Sequence, residues 1–588
     1  LEHLPPEAEQ TLDIAAVIGR DFSVDLLETV ATTDPLPALT ILLHGQFLNE
    51  VSPGRLDFSH HLTREVIYAK LSPLAKQRLH QRVSDALIAL YGPRSNAKAS
   101  EIANHCLQAG ASHRQQAVIF SALAGEYALR AFSYAQAAKH YRQAIETADL
   151  LPPDQELAHW VQQAYLGLAL AQESLAEWDA ARNTYQAWRK WAQQNRLPAS
   201  ALMAQYRLAS MLGLSGQIDE AAAIAARVTQ QLPDNTPSVI ADAQKRLHLL
   251  VSTQVNPPAW THAGWPGFTP HPVKLDFSWQ QITHFLGAEQ AAQPFNLYGW
   301  SLTLQGQTQA AETVLNYAAH LSEEYNQPGY QATSYHLMAQ LCGLRGDYTR
   351  MERALARALE LVEDTPHLRW AVVWGRIHQA YVDMRWNQLA RAGERLHQLD
   401  RELAGRSAFQ SHRLSVQVGL GLLAMFKQDL ARAAHYFDLA LSGSQNLYVS
   451  NFVAVYLSQA RIKRKQGNLE AAQQDIIRAM AFAGERGLLA DYISAAVEAA
   501  RYDQATEQAH HIIPLLEQLE TQAAHANLLP ARLSLRMALM RVYAALNARN
   551  EAAWYRRLSR VDRDAIAASI PDAGDRVAYL SRRDLRGL

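Results

Sequence analysis

The sequence predicts an all-α solenoid of paired antiparallel helices, and three regularities between residues 125 and 479 carry that expectation. The first is a triplet on the second helix of each pair: a residue that is small in all but one case, a larger apolar or aromatic residue four later in most pairs, and a small or apolar one three beyond. The set is Ala137/Tyr141/Ala144, Ala181/Tyr185/Trp188, Ala221/Ala225/Val228, Ala311/Leu315/Ala318, Met351/Leu355/Ala358, Ala392/Leu396/Leu399, Ala433/Phe437/Ala440 and Ala472/Ile476/Ala479. The second is a small residue twelve positions before each triplet: Gly125, Ala169, Ala209, Gly299, Ala339, Ala380, Gly421 and Ala460. Two helices approach closely only where a side chain is absent or nearly so. The third is the turn between helices, seen in Gly216-Gln217-Ile218-Asp219, Gly306-Gln307-Thr308, Gly346-Asp347-Tyr348 and Gly467-Asn468-Leu469. Gly or Asn followed by a new apolar period reads as a helix C-cap and restart.

Small anchor, turn and triplet in one register resemble the tetratricopeptide repeat. The anchors recur at about 40 residues instead of the usual ~34, which predicts helices roughly a turn longer. The step from Ala221 to Ala311 is more than twice the usual interval and predicts a hidden repeat swollen by a loop. The expected organisation is a small winged-helix domain over 1–95, a tetratricopeptide superhelix over 96–570 with a loop insertion at 256–277, and a tail over 571–588.

A solenoid of 588 residues needs no single core, because each unit buries its face on its neighbours. The net charge of −1 supplies no general attraction to nucleic acid or to an anionic membrane. Cys106 and Cys342 lie far apart without metal-ligand spacing, which fits a reducing, cytoplasmic compartment. No apolar run approaches the ~20 residues of a spanning helix, and no leader precedes a cleavage site. The chain starts at Leu1 already in helix-forming sequence, and reads as a piece of a longer protein.

In chain order, Pro5-Pro6-Glu7-Ala8-Glu9 opens a helix, since Pro is tolerated in a first turn and acids suit the dipole there. It runs through Leu12 to Gly19. A second helix is expected from Ser23 to Val30, and a third from Asp34-Pro35 to about Asn49. Val51 to Phe58, centred on Pro53-Gly54, reads as a hairpin. Three helices and a hairpin suggest a winged helix.

Leu12-Asp13-Ile14-Ala15-Ala16-Val17-Ile18-Gly19-Arg20-Asp21-Phe22, Leu56-Asp57-Phe58-Ser59-His60-His61-Leu62-Thr63-Arg64-Glu65-Val66-Ile67-Tyr68 and Leu79-His80-Gln81-Arg82-Val83 resemble the winged-helix segment of bacterial STAND-type signalling ATPases. That family includes the maltotriose-responsive transcription activator. The resemblance implies a nucleotide-binding domain upstream and a tetratricopeptide sensor downstream. It implies ATP or ADP as cofactor of the intact protein, with none expected in this fragment, where no Gly-x-x-x-x-Gly-Lys-Ser/Thr loop occurs. It also implies that His60 reaches the β-phosphate of ADP in the resting state; the bland alternative is a local hydrogen bond at the start of the Leu62–Tyr68 helix. DNA is not an expected partner, because the third helix carries no Lys or Arg and phosphate contacts dominate groove affinity.

Further on, Ala97 to Ala109 is expected as a helix capped by Gly110, and 114–150 as the first clear repeat, ended by Leu151-Pro152-Pro153-Asp154. Trp160, Trp178, Trp188 and Trp191 of the second repeat read as packing residues. The swollen repeat has expected helices at 238–253 and 278–285, separated by a Pro-rich stretch bearing Trp260, Trp265 and Phe268. Such a stretch is either a binding loop or a cover for its own repeat. Tyr502 to Ala524 reads as one helix kinked at Pro514, Leu529-Pro530 opens a last pair ending near Ala568, and the basic tail from Arg576 reads as a solvated cap.

By resemblance to tetratricopeptide superhelices, residues six and three before each small anchor and one and four after it point into the groove. This places Gln293, Asn296, Trp300 and Thr303 there, then Thr333, His336, Gln340 and Gly343, then Trp374, Ile377, Tyr381 and Met384, and farther on Arg461 and Arg464 as an anion contact. Aromatics beside amides suit a specific pocket; packing between repeats is the alternative for each ring. Catalytic and metal motifs are missing from the sequence, and His510-His511 lacks a third ligand. The function expected is a non-catalytic sensor arm. It would take a small-molecule, peptide or protein effector and relay to its own upstream nucleotide domain. A free-standing scaffold for another protein is the alternative.

Overall fold

The protein was analysed as a computed structural model that describes residues 4–91, 98–215 and 292–588 apart from short connecting positions, together with isolated positions between 220 and 270. The chain divides into two compact units, Leu1–Ser200 and Ala201–Leu588. The division does not fall at residue 95. Instead one core joins Leu12, Val17, Leu27 and Leu87 to Ile102, Cys106 and Ala124.

The first unit opens with α1 (Pro6–Ile18), β1 (Phe22–Ser23), α2 (Val24–Val30), α3 (Leu36–His44), β2 (Leu48–Ser52), β3 (Arg55–Phe58), α4 (His61–Lys70), α5 (Pro73–Tyr91) and α6 (Ala99–Gln108). Ser23 caps α2 by accepting from the Leu26 N–H at 3.2 Å. The third helix is shorter than expected, ending at His44 where the sequence reading carried it to Asn49. Gln46 turns left-handed, and the Phe47 and Gln46 N–H groups close back on Leu42 and Leu43, so the chain leaves as a strand. The three short strands are antiparallel in the order β1-β3-β2, with Phe22 opposite Leu56 and Leu48 opposite Phe58.

The three stretches that carry the family resemblance meet here. Arg64 Nε donates to the Ala16 carbonyl at 3.1 Å, and Tyr68 Oη lies 3.0 Å from His80 Nε2. His80 Nδ1 lies 2.9 Å from His105 Nδ1, so one of the two nitrogens donates and the other accepts, which excludes the state with both rings protonated. Burial lowers both histidines from 6.5 to about 4, and His80 is pushed down further by His105. Their folded values lie below the unfolded ones, so the unfolded chain takes up protons first. The pair's contribution is complete above 6.5 and is lost as pH falls toward about 4. Thermal unfolding of the His105→Leu variant is expected to be less acid-sensitive than wild type over that range; equal slopes would remove the pair as the cause.

Helices then pair. In the first unit these are α7 (Arg114–Arg130) with α8 (Tyr134–Ala148) and α9 (Gln155–Ser174) with α10 (Trp178–Gln194). Trp188 is fully buried with its indole N–H donated to Ser200 Oγ at 2.9 Å, while Trp160, Trp178 and Trp191 are half-buried.

The second unit follows α11 (Pro198–Ser215) with α12 (Ala292–Leu304) and α13 (Thr308–Glu324), α14 (Pro328–Arg345) and α15 (Tyr348–Glu360), α16 (Arg369–Arg385) and α17 (Leu389–Leu403). The pairs α18 (Gln410–Phe426) and α19 (Leu430–Ser442), α20 (Val449–Lys465) and α21 (Leu469–Glu485) come next. The last are α22 (Leu489–Ala505) and α23 (Ile513–His525), α24 (Leu529–Ala545) and α25 (Arg549–Ser569), closed by α26 (Ala573–Leu580). Helical repeats therefore make up the described chain beyond residue 113: the fold is an all-α superhelix. The expected kink at Pro514 is a complete break, with Pro514 in the first turn of α23.

Every small anchor is buried, and so is every described triplet residue. Ala225 and Val228, the expected helices at 238–253 and 278–285, and the Gly216 turn lie wholly or largely outside the described residues. Turns between helices repeat one closure. In each, a left-handed Gly306, Gly346, Asn387, Gln428, Gly467, Gly487, Asn527 or Asn547 is followed by an N–H bonded five residues back, as in Gln307 to Leu302 and Asp429 to Ala424.

The second unit also closes on itself. Gln305 Nε2 donates to the Arg486 carbonyl at 3.0 Å, Thr308 Oγ1 to that of Ala526 at 2.8 Å, and Thr349 Oγ1 to that of Ser569 at 2.8 Å. These partners stand 181, 218 and 220 residues apart, so the chain meets itself again after about five repeats. The basic tail is packed and not solvated as expected. Asp575 accepts from Gln388 at 2.7 Å and Arg391 at 3.0 Å, and Tyr579 and Leu585 are buried.

Candidate functional site

The residues expected to face the groove divide into two groups. Asn296, Thr303 and His336 are buried, which corrects their assignment to an open wall. Asn296 donates to the Tyr330 carbonyl at 3.0 Å and accepts from Ser334 Oγ at 2.7 Å, joining α12 to α14. Thr303 Oγ1 is spent on the Gly299 carbonyl. His336 Nε2 lies 3.1 Å from the Ala371 carbonyl, and burial lowers its pKa to about 4, so it stays neutral. Gln293, Thr333, Gly343, Ile377 and Met384 are buried as well.

Trp300, Gln340, Trp374, Tyr381, Arg461 and Arg464 remain half-exposed. Trp300 nevertheless packs against the core of the later repeats. Trp374 lies 5.6 Å from the His336 ring, and Tyr381 donates its hydroxyl to the Ser415 carbonyl at 2.9 Å. Both rings therefore serve packing on one side and solvent on the other. Arg461 and Arg464 meet a carboxylate of the chain itself, Glu498, which sequence reasoning missed: it belongs to α22, a helix without a readable anchor.

Of the loop residues, Trp260 lies outside the described residues. Trp265 and Phe268 dock on α22, and Phe268 shares a buried core with Leu304 of α12. The Trp265 indole donates to Asp503 Oδ2 at 2.9 Å and its ring meets Tyr502 edge-on, while Phe268 is buried 5.0 Å from the Tyr492 ring. Burial raises Asp503 to about 6, which the indole bond partly offsets.

His60 is exposed at the start of α4 and makes no capping bond. Beyond it α4 buries only Ile67, and Leu62 and Val66 are 70% and 48% exposed. The third helix exposes Leu36, Ile41 and Leu43 in place of cations. His510 and His511 sit in a turn with rings 4.0 Å apart, not pointing away from each other on a helix. Among the described residues no group of three or more His, Cys, Asp or Glu could hold a metal ion, and no helix is long and apolar enough to cross a membrane. Cys106 and Cys342 are free and buried.

Comparison with protein families and with curated proteins finds no match. Solved structures do match. One is a Signal Transduction ATPase with Numerous Domains (STAND) protein with a tetratricopeptide repeat sensor from Pyrococcus horikoshii, at 10% identity and a TM-score of 0.39, covering 85% of this chain. The chain spans 66% of that structure's length. Another is aspartyl phosphate phosphatase F from Bacillus subtilis, at 13% identity and a TM-score of 0.35, covering 62% of this chain and 94% of that one. A third is the APC/C hetero-tetramer Cut9-Hcn1, at 15% identity and a TM-score of 0.38, covering 81% and 86%.

Proposed function

We propose that this chain is the effector-sensing arm of a STAND-type signalling ATPase. An effector held by the helical repeats shifts a two-state equilibrium, and residues 1–95, read as a winged helix, pass the shift to an upstream nucleotide-binding domain. The observation that carries this reading is α4. It leaves Leu62 and Val66 in solvent directly beyond His60, within the stretch that resembles the family's Phe-Ser-His segment, as α3 leaves Leu36, Ile41 and Leu43. An apolar face beside an imidazole donor suits a domain that brings a phosphate to that edge. The cofactor, ATP or ADP, belongs to that upstream domain; this chain supplies the sensing surface and no chemistry of its own.

Two measurements test it. The reading frame upstream of Leu1 is expected to encode a Gly-x-x-x-x-Gly-Lys-Ser/Thr phosphate loop. In the intact protein, His60→Ala is expected to speed ADP release about tenfold, the worth of one hydrogen bond to a charged group. A frame without a phosphate loop leaves the scaffold reading, in which the repeats hold a segment of another protein. Unchanged ADP release would remove His60 from the relay.

A further inference from the structure

Arg461, Arg501 and Arg541 are each the thirteenth residue of their helices α20, α22 and α24, one per repeat at 40-residue intervals. Helix α20 packs on α22 and α22 on α24, so the three positions follow one another on neighbouring helices, whose axes pack at about 8–10 Å. Arg464 stands beside Arg461, one turn along α20.

One carboxylate already lies in this row. Glu498 accepts from Arg461 Nε at 2.7 Å, Arg501 Nη1 at 2.7 Å and Arg464 Nη2 at 3.1 Å. Three guanidiniums thus share one acid. Arg541 has no hydrogen-bond acceptor or ion-pair partner among the described residues, and Arg464 Nε is buried without an acceptor there. Arg541 and Arg461 are close enough to act on Arg501 as like charges. The side chain of Glu498 is 0% exposed, whereas those of Arg461, Arg464 and Arg501 keep 33%, 24% and 35%. An incoming ligand therefore meets the cations and not the acid.

We propose that this row binds an acidic peptide segment, whose carboxylates extend along Arg464, Arg501 and Arg541 the pairing that Glu498 begins. Glu498 shows the chemistry the guanidiniums accept, since a carboxylate takes two or three charge-assisted N–H bonds from them. Length favours a peptide over a single small anion: a row across three helices is about 16–20 Å long, the reach of roughly six extended residues. This inference rests on the repeats being an effector site, and it requires neither a nucleotide domain nor the relay through α4.

The test is fluorescence anisotropy of labelled hexaglutamate with the whole chain at low ionic strength, with hexaglutamine as the neutral control. Hexaglutamate is expected to bind and hexaglutamine not. Added salt should weaken the complex. Arg541→Gln, which breaks no described contact, should weaken it about tenfold, and Arg464→Gln should do so independently. The proposal is overturned if hexaglutamate fails to bind, if hexaglutamine binds equally, or if both variants bind as wild type. Displacement by inorganic phosphate at matched concentration would make this a small-anion site, and tighter binding of a thymidine oligonucleotide a nucleic-acid site; either overturns it too. None of these failures bears on the upstream phosphate loop or on ADP release, which test the sensor reading separately.

Discussion

Gly421→Val is expected to destabilise the second unit by about 3 kcal/mol, at the upper end of overpacking costs. Gly421 lies on α18 against the Phe437 ring of α19, and a Cβ there would stand 2.6 Å from Cε1 and 2.9 Å from Cζ. The ring cannot retreat, because Phe437 is fully buried between Ala433 and Ala440, themselves fully buried. Two effects compete. Any side chain relieves the helix penalty of glycine, worth at most about 1 kcal/mol, while the contact distance demands that one helix move. Sterics therefore win for valine, and Gly421→Ala should fall between valine and wild type. Denaturant unfolding supplies the magnitude, and hydrogen exchange across residues 410–442 the location, since an array of repeats need not unfold in one step. Pairing Gly421→Val with Phe437→Ala should cost less than the two separate losses combined. Gly421→Val stability within ~0.5 kcal/mol of wild type would mean that the small anchor does not set the helix approach.

That anchor was legible because it repeats. The same geometry recurs at Gly125 against Tyr141 and Gly299 against Leu315, with ideal Cβ positions 2.7 and 2.5 Å from those side chains. A feature imposed once per repeat leaves a periodic trace that no single contact would. The turns were read where glycine supplies the left-handed residue, as at Gly306, Gly346 and Gly467, and not where Asn387, Gln428, Asn527 or Asn547 does. Self-closure left no trace either. It is made by Thr308, Thr349, Gln305 and Gln388, polar residues in or beside the turns between helices, whose partners lie about five repeats away. The groove was misread for a related reason. A rule for which side chains point inward takes no account of a neighbouring helix that satisfies them, as Tyr330 and Ser334 satisfy Asn296. The tail was misread from its charge alone, since Arg576 and Arg582 spend their guanidiniums on the Ile570 and Arg385 carbonyls.

Glu498→Ala is expected to cost about 3 kcal/mol, because removing one partner of a buried ion pair strands the others. An exposed pair such as Arg563 with Asp564 is worth at most about 1 kcal/mol, since water replaces either partner. Glu498 differs in that its carboxylate is fully buried and three guanidiniums from two helices converge on it, so its loss leaves like charges facing one another across α20 and α22. Burial alone would raise its pKa; the arginines outweigh burial and hold it below the ordinary 4.5. With the folded value below the unfolded one, the stabilisation is present above 4.5 and disappears as pH falls through the folded value. Wild type should therefore lose more stability than Glu498→Gln as pH drops below 4.5, and the two should converge at the acid end. The measurement is urea unfolding of wild type, Glu498→Gln and Glu498→Ala across that range. A Glu498→Ala loss under ~1 kcal/mol at neutral pH would show that water, not Glu498, balances the arginines. The row on α20, α22 and α24 would then have no internal counter-ion to model its ligand.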